Sequence, residues 1–311
     1  MTNLKKIGLT ALAGSLAAIG YAQAGSLSVN GTARMEYQTT STSTTNADTF
    51  AQTASITFSG SGELDNGNTV SFTQVRAGAA AGAITSQSVT LDMGDMGTLS
   101  LASMNLAGIG TIQDMVPNGG EQPWDDLNAA HGTPQQGVAS PHAGDRLGYS
   151  TTMGGATVSA AINYENNSAT TSMAVQLPNL VEGLNIGAGI ATDASAAGVE
   201  DDIETMYVKY TMGGISVGYQ VTDVAQQTAN TDIERTAYGI SFAVNDNLSV
   251  GYGISDTEFE AQSRDEENAG LGIAYTSGGM KVGIINNTKD NAGGTAATEE
   301  EMTEIQLTFA F

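Results

Sequence analysis

The sequence predicts an all-β protein, a sixteen-stranded antiparallel transmembrane β-barrel, and three observations carry that reading. Apolar and polar residues alternate with a period of two in segment after segment. The connections between the segments are short and long in turn. No stretch reaches the roughly 18 consecutive apolar residues that a helical span needs.

Taken in order, the chain opens on an export signal. Lys5 and Lys6 precede an apolar stretch from Ile7 to Ile19, and Ala22-Gln23-Ala24 follows with the small-x-small pattern of a cleavage site. Residues 1–24 are therefore expected to be removed, leaving 25–311 as one barrel domain. The exported chain has no cysteine, so disulfides do not stabilise it. With 33 acidic residues against 10 basic ones, it has no basic face for nucleic acid.

Leu27, Val29, Gly31, Ala33, Met35 and Tyr37 share one face of the first segment, and Ser28, Asn30, Thr32, Arg34, Glu36 and Gln38 share the other. The same alternation returns at Ala54–Phe58, Val89–Leu91, Leu99–Leu101, Leu147–Tyr149, Val158–Tyr164, Met173–Leu177 and Leu184–Ile190. It continues at Met206–Met212, Ile215–Val221, Tyr238–Val244, Leu248–Ile254, Leu271–Tyr275, Met280–Ile284 and Ile305–Phe311. A less regular segment at Thr69–Ala77 completes the set. Each segment is roughly ten residues, enough for a tilted strand to cross a bilayer.

Tight turns are expected at Asp65–Asn68, Gly94–Gly97, Met153–Gly155, Pro178–Gly183, Gly213-Gly214, Asn245–Asn247 and Ser277–Gly279, where Gly, Asn and Asp tolerate positive φ. Longer polar loops are expected at Thr39–Asp48, Asp193–Asp202, Asp223–Asp232, Ser255–Glu266 and Asn287–Thr298. A soluble β-sandwich would also alternate. So many strands would need two sandwich domains, and no linker divides the chain.

Charges test the assignment, because Arg or Lys facing lipid at mid-depth costs about 2–4 kcal/mol. Arg34, Glu36, Glu63, Asp92, Arg146, Glu165, Lys209, Arg235, Lys281 and Glu304 all take the polar parity. Arg76 does not: it shares parity with Val70 and Phe72. The expectation is a bulge near Thr73–Val75 that turns it inward, or a position at the strand end that clears the lipid. A sixteen-stranded barrel is too wide for side chains to fill, so the polar face should line a water-filled pore.

One connection, Asn105–Ala143, is far longer than the rest, and loops of that length are usually functional or disordered. Pro123, Asp125, Asp126 and Gly132 are placed as a short helix would place them. The loop carries the acids Asp114, Glu121, Asp125 and Asp126 and no Lys or Arg; Trp124 reads as loop packing.

Leu27–Met35, Gly97–Leu101, Asp145–Ser150 and the terminal Phe311 resemble the sixteen-stranded general diffusion porins of Gram-negative bacteria, particularly the alphaproteobacterial type. The resemblance implies that the long third loop folds into the barrel and narrows it. It implies that acids of that loop, here Asp114, Glu121, Asp125 and Asp126, face basic wall residues, of which Arg34 matches best and Arg76 and Arg146 less well. It implies a homotrimer, and an assembly machinery of the outer membrane that reads Phe311. The Pro-Glu-Phe-Gly of many relatives is absent; Pro117–Gly120 and Pro123–Asp126 stand in its place.

The excess of acid predicts a weak preference for cations. Glu200–Asp202, Asp265–Glu267 and Glu299–Glu301 could bridge through divalent ions to lipopolysaccharide, or hold Ca²⁺ loosely. No calcium-loop spacing is present, so the expectation is solvated charge and no cofactor. No catalytic motif is present either; His142 near Ser140 and Asp145 is the one arrangement that resembles a hydrolase site, and no enzyme is expected. The alternatives to general diffusion are a channel selective for sugars or organic ions and a plugged structural or adhesive barrel.

Overall fold

The computed structural model describes residues 25–42, 46–78, 84–123, 127, 145–165, 168–196, 199–295 and 298–311. The chain runs β1 (Ser26–Thr42), β2 (Asn46–Glu63), β3 (Thr69–Ala77), β4 (Ile84–Asp92), β5 (Thr98–Ala102), β6 (Arg146–Met153), β7 (Ala156–Glu165) and β8 (Ser168–Val181). It continues β9 (Leu184–Ala196), β10 (Val199–Met212), β11 (Ile215–Ala225), β12 (Ile233–Ala243), β13 (Leu248–Phe259), β14 (Glu266–Ser277), β15 (Met280–Asp290) and β16 (Glu299–Ala310). Each strand pairs antiparallel with its sequence neighbours, and β1 pairs with β16, so the sixteen strands close into one barrel. Closure leaves no sheet edge within the lipid, where an unpaired backbone group has no water to bond. The last residue completes the seam: Gly31 N donates to Phe311 O at 2.7 Å, and Phe311 N donates to Gly31 O at 2.9 Å.

The two faces follow the sequence alternation. Val29, Met35, Ile56, Leu101, Ile190 and Ile284 point outward and stay exposed, as a lipid-facing wall requires. Their neighbours one residue along point into the barrel. The seven expected tight turns lie at one end, that of Pro178–Gly183 shortened to Glu182-Gly183 because β8 runs on irregularly to Val181; Gly154 at φ 59° and Gly155 at φ 84° close β6 onto β7 in the left-handed region that such two-residue hairpins need.

The opposite end differs from the sequence expectation. Thr39–Asp48 and Asp193–Asp202, expected as loops, are mostly strand: Thr39 pairs with Asp48 and Ser41 with Asn46, while Asp193 pairs with Asp201. Period-two reading needs apolar residues to mark one face. Beyond the lipid both faces are polar, so the pattern fades while the backbone ladder continues.

Among the described residues the barrel has no central apolar core. Its clusters of buried apolar residues lie between the long β5–β6 connection and the inner wall, the largest built from Ile109, Ile112, Ala174, Ala191, Ile203, Tyr207 and Val224. Two smaller ones join Val116 to Ala237 and Leu127 to Ile285 and Met302. Ala174, Ala191, Ile203, Tyr207, Val224, Ala237, Ile285 and Met302 all take the inward parity, which places loop residues inside the barrel.

Candidate functional site

The long connection enters at its root through Arg146. This side chain lies 7 % exposed behind the loop, and its Nη1 donates to Asn105 Oδ1. Asn105 Nδ2 in turn donates to Gln113 Oε1 at 2.6 Å. Arg146 thus clasps the root of the loop and does not stand on the open pore wall expected of it, because the loop it anchors covers it. A 3₁₀ turn at Gly108–Ile112 follows and presses Ile109 and Ile112 onto Gly189 of β9.

From there the loop travels along the wall on a track of glycines. A Cβ on Gly218 would come within 2.5 Å of Pro117, and one on Gly239 within 2.1 Å of the Pro117 carbonyl oxygen. One on Gly251 would lie 2.3 Å from Gly119 N, and one on Gly270 would lie 2.6 Å from the Pro123 Cα. Gly218 pairs with Gly239, Gly239 with Gly253, Gly253 with Gly270, and Gly251 with Gly272. The glycines therefore form adjoining rows across β11–β14 on the inner face. Only glycine lets a loop backbone lie this close to a sheet.

Wall amides fasten the loop between these contacts. Gln220 Nε2 donates to Ile112 O at 2.8 Å, and its Oε1 accepts from Met115 N at 3.0 Å. Asn287 Nδ2 donates to Gln122 O at 3.0 Å, and Gln306 Nε2 to Glu121 Oε2 at 3.0 Å. Neither the amides nor the glycine rows were expected from the sequence. Their signal was present: glycine recurs at inward parity in Val217–Gln220, Tyr238–Ser241, Val250–Ile254 and Ala269–Tyr275.

Among the described residues the loop lies along the inner wall from β6 round to β16, and the exposed inward residues of β1 and β2 lie beyond it. Ser28, Asn30, Thr32 and Thr53 point inward there and remain exposed. This stretch of wall presents hydroxyl and amide groups to the lumen.

The expected charged residues fall in three places. Glu121 docks on Gln306, which pairs with Glu36 on β1. Arg34 sits one step along β1 and forms an ion pair with Glu36, Nε to Oε2 at 2.6 Å. Lys281 shares the row of Arg34 through Thr308 and lies with its Nζ 3.7 Å from where a Cβ on Gly120 would be. The seam of β15, β16 and β1 thus gathers acids and bases beside the loop, with Arg34 answered by its own strand before it meets Glu121. Asp114 is exposed and lies within electrostatic reach of Arg235, a wall base that the sequence reading had not placed opposite the loop. Arg235 is buried, its Nε donating to Thr257 Oγ1 at 2.9 Å. Asp125, Asp126, Trp124, His131 and His142, and with them nearly all of the expected helix, lie outside the described residues.

Arg76 is in the third place, and it corrects the expected inward turn. The register of β2 with β3 is unbroken and pairs Arg76 with Ile56, a lipid-facing residue. The irregularity lies on β4, where Val75 pairs with Ser86 and Arg76 with Ile84. Because β3 itself is not bulged, Arg76 keeps the outward parity, and its Nε donates to Gln74 Oε1 at 3.3 Å on the same face.

The acidic runs are separated by the pleat. Glu266 points inward, accepting from Gly293 N at 2.8 Å and lying 3.8 Å from Lys289 Nζ. Asp265 instead meets Asp256 and Glu258 within 4.8 Å at the rim. In Glu200–Asp202, Asp201 accepts from Gln227 N and Asp202 from Thr192 Oγ1. In Glu299–Glu301, Glu301 accepts from Asn286 Nδ2.

A closed barrel with an apolar exterior, a polar interior and a loop docked along part of its inner wall is a channel of the outer-membrane class. Residues 8–282 match the model of the Gram-negative porin family, and the chain belongs to that family. It is a passive diffusion channel of the bacterial outer membrane. Solved structures share the fold at low identity. The Rhodopseudomonas blastica porin, in a triple mutant, is 15% identical with a TM-score of 0.68 over 92% of this chain and 100% of its own. An anion-selective porin from Comamonas acidovorans gives the same figures, 15%, 0.68, 92% and 100%. An outer membrane protein of Vibrio cholerae with one loop deleted is 14% identical with a TM-score of 0.67, over 93% of this chain and 100% of its own. No curated protein matches the chain in sequence.

Proposed function

We propose that this porin passes small hydrophilic solutes and ions with a weak preference for cations. The observation that carries the preference is where the charges lie. Asp114 on the loop is exposed and Glu121 is half-buried, whereas Arg146 is withdrawn behind the loop, Arg235 and Lys289 are buried in the wall, and Arg34 is paired to Glu36. Lys209 and Lys281 are half-exposed inward bases that match these two acids in number, so the excess of acid that mobile ions meet comes from the exposed rim carboxylates, Glu258 and Asp265 among them. The Comamonas acidovorans relative is described as anion-selective, so the fold admits either sign and the lining decides. The test is the reversal potential in a salt gradient: a sign corresponding to cation flux supports the reading, and anion flux overturns it.

Homotrimer assembly accompanies this reading. Arg76 stands on the outer wall with Gln74 and Gln87, which pair across β3 and β4. A charge and two amides facing lipid are unfavourable, and a second copy of the chain against β3–β4 removes them from it. Residues 1–24 act as the export signal, Phe311 is the mark read during assembly, and the rim carboxylates face lipopolysaccharide. Passive passage requires no reacting group, and the chain is assigned no enzymatic reaction. Chemical crosslinking in detergent that yields trimers supports the assembly; monomers alone contradict it.

A further inference from the structure

We propose that Gln220 is the positioning residue that fixes the depth of the long loop and so sets the bore of the channel. It never meets the solute: it is 1 % exposed, behind the loop on the inner face of β11. Its two amide ends bond opposite kinds of backbone group, the carbonyl of Ile112 at 2.8 Å and the N–H of Met115 at 3.0 Å. These two loop residues flank the point where the 3₁₀ turn ends and the chain descends toward Pro117.

The position of Gln220 is itself fixed. Its Nε2 also donates to Thr205 Oγ1 at 3.2 Å, and Thr205 shares a hydroxyl bond of 2.8 Å with Thr222. Gln220 thus stands as a rigid post between two greasy contacts, the cluster around Ile109 and Ile112 on one side and Val116 with Ala237 on the other. Apolar contacts have no preferred direction and let a loop slide. A buried amide that must satisfy one donor and one acceptor does not. The other wall amides differ: Asn287 is bonded to a loop carbonyl, Gln306 to a loop side chain, and Gln176 to the Thr111 hydroxyl. Among these wall amides Gln220 alone grips the loop main chain at both amide ends.

Removing the amide leaves the Ile112 carbonyl and the Met115 N–H buried without their partner. Each such loss raises the population of a displaced loop roughly tenfold. The barrel ladder does not pass through this side chain, so the barrel itself should survive.

The experiment compares Gln220→Leu and Gln220→Glu with the parent in single-channel recordings, alongside the heat-dependent gel mobility that reports the folded barrel. Expected for Gln220→Leu is a folded barrel of parent-like heat resistance whose open current is noisier, with transitions to a second level. Gln220→Glu keeps an acceptor for Met115 N but turns a carboxylate oxygen toward the Ile112 carbonyl in a buried site, so its noise should also exceed the parent's. Since the chain has no cysteine, Asp114→Cys carries a spin label in either background, and Gln220→Leu should increase its mobility. If Gln220→Leu does not fold, the Gln220→Glu current and label decide instead. A folded variant with parent-like current level, noise and label mobility overturns the assignment. Because the inference rests on the loop-narrowed channel, the parent recording separates the two failures: no current in the parent overturns the channel reading, and an ordinary parent current with unaltered variants overturns the role of Gln220 alone.

Discussion

Filling the glycine track should narrow the pore, and the geometry sets how far. A Cβ on Gly239 would lie 2.1 Å from the Pro117 carbonyl oxygen and 2.4 Å from Val116 Cγ1, where ordinary contact begins at 3.4 Å. About 1.3 Å of separation must therefore open at Gly239→Ala. On Gly251 the nearest atom is Gly119 N at 2.3 Å, requiring about 1.1 Å. The wall does not yield, because β12 is paired over its whole length to β11 and β13. The loop does, and the open space lies on its lumen side. Overpacking of this kind costs about 1–3 kcal/mol, enough to shift a docked loop and too little to unfold a closed barrel. Planar-bilayer recordings should show a lower single-channel conductance for Gly239→Ala and Gly251→Ala. Gly283→Ala is the control: it faces inward on β15, and its added Cβ would find its nearest neighbour at 3.7 Å. Its conductance should equal the parent's. Parent-like conductance in Gly239→Ala, or an equal drop in Gly283→Ala, refutes the track.

Other outcomes follow from the same geometry. Glu121→Gln removes a half-buried acid beside the bore, and the reversal potential should move toward lower cation preference; a move the other way contradicts the charge reading. Arg76→Leu should leave single-channel conductance and selectivity unchanged while altering the yield of crosslinked trimer, and a changed selectivity would return Arg76 to the pore. Gly31→Val should reduce the yield of folded barrel in refolding assays, since a Cβ there would lie 2.5 Å from the Phe311 ring at the closing seam; unchanged yield counts against that packing.

Much of this architecture could be read from the sequence because the membrane imposes a simple code. Lipid demands an apolar residue at every second position, and residues such as Val29, Met35 and Ile284 supply it. The turns were legible for the same local reason, glycine and asparagine marking positive φ. The interior was harder, because water makes no comparable demand on it. Arg34 and Arg146 share a parity, yet one borders the bore and the other lies under a loop, a difference set by contacts distant in sequence. The inward glycines of β11–β14 look like weak strand residues until Pro117 and Gly119 are seen against them. Arg76 shows the opposite error. The rule against charge in lipid suggested an inward turn or a place at the strand end; the backbone keeps the residue outside, one position before β3 ends at Ala77.

The central claim is that an open aqueous path runs between the docked loop and the polar inner wall of β1 and β2. Swelling of liposomes containing the folded protein tests it most directly. Vesicles placed in an isosmotic solution of a small neutral sugar should swell, and the same vesicles in a large polymer should not. Folded barrels that admit no sugar at all would contradict it.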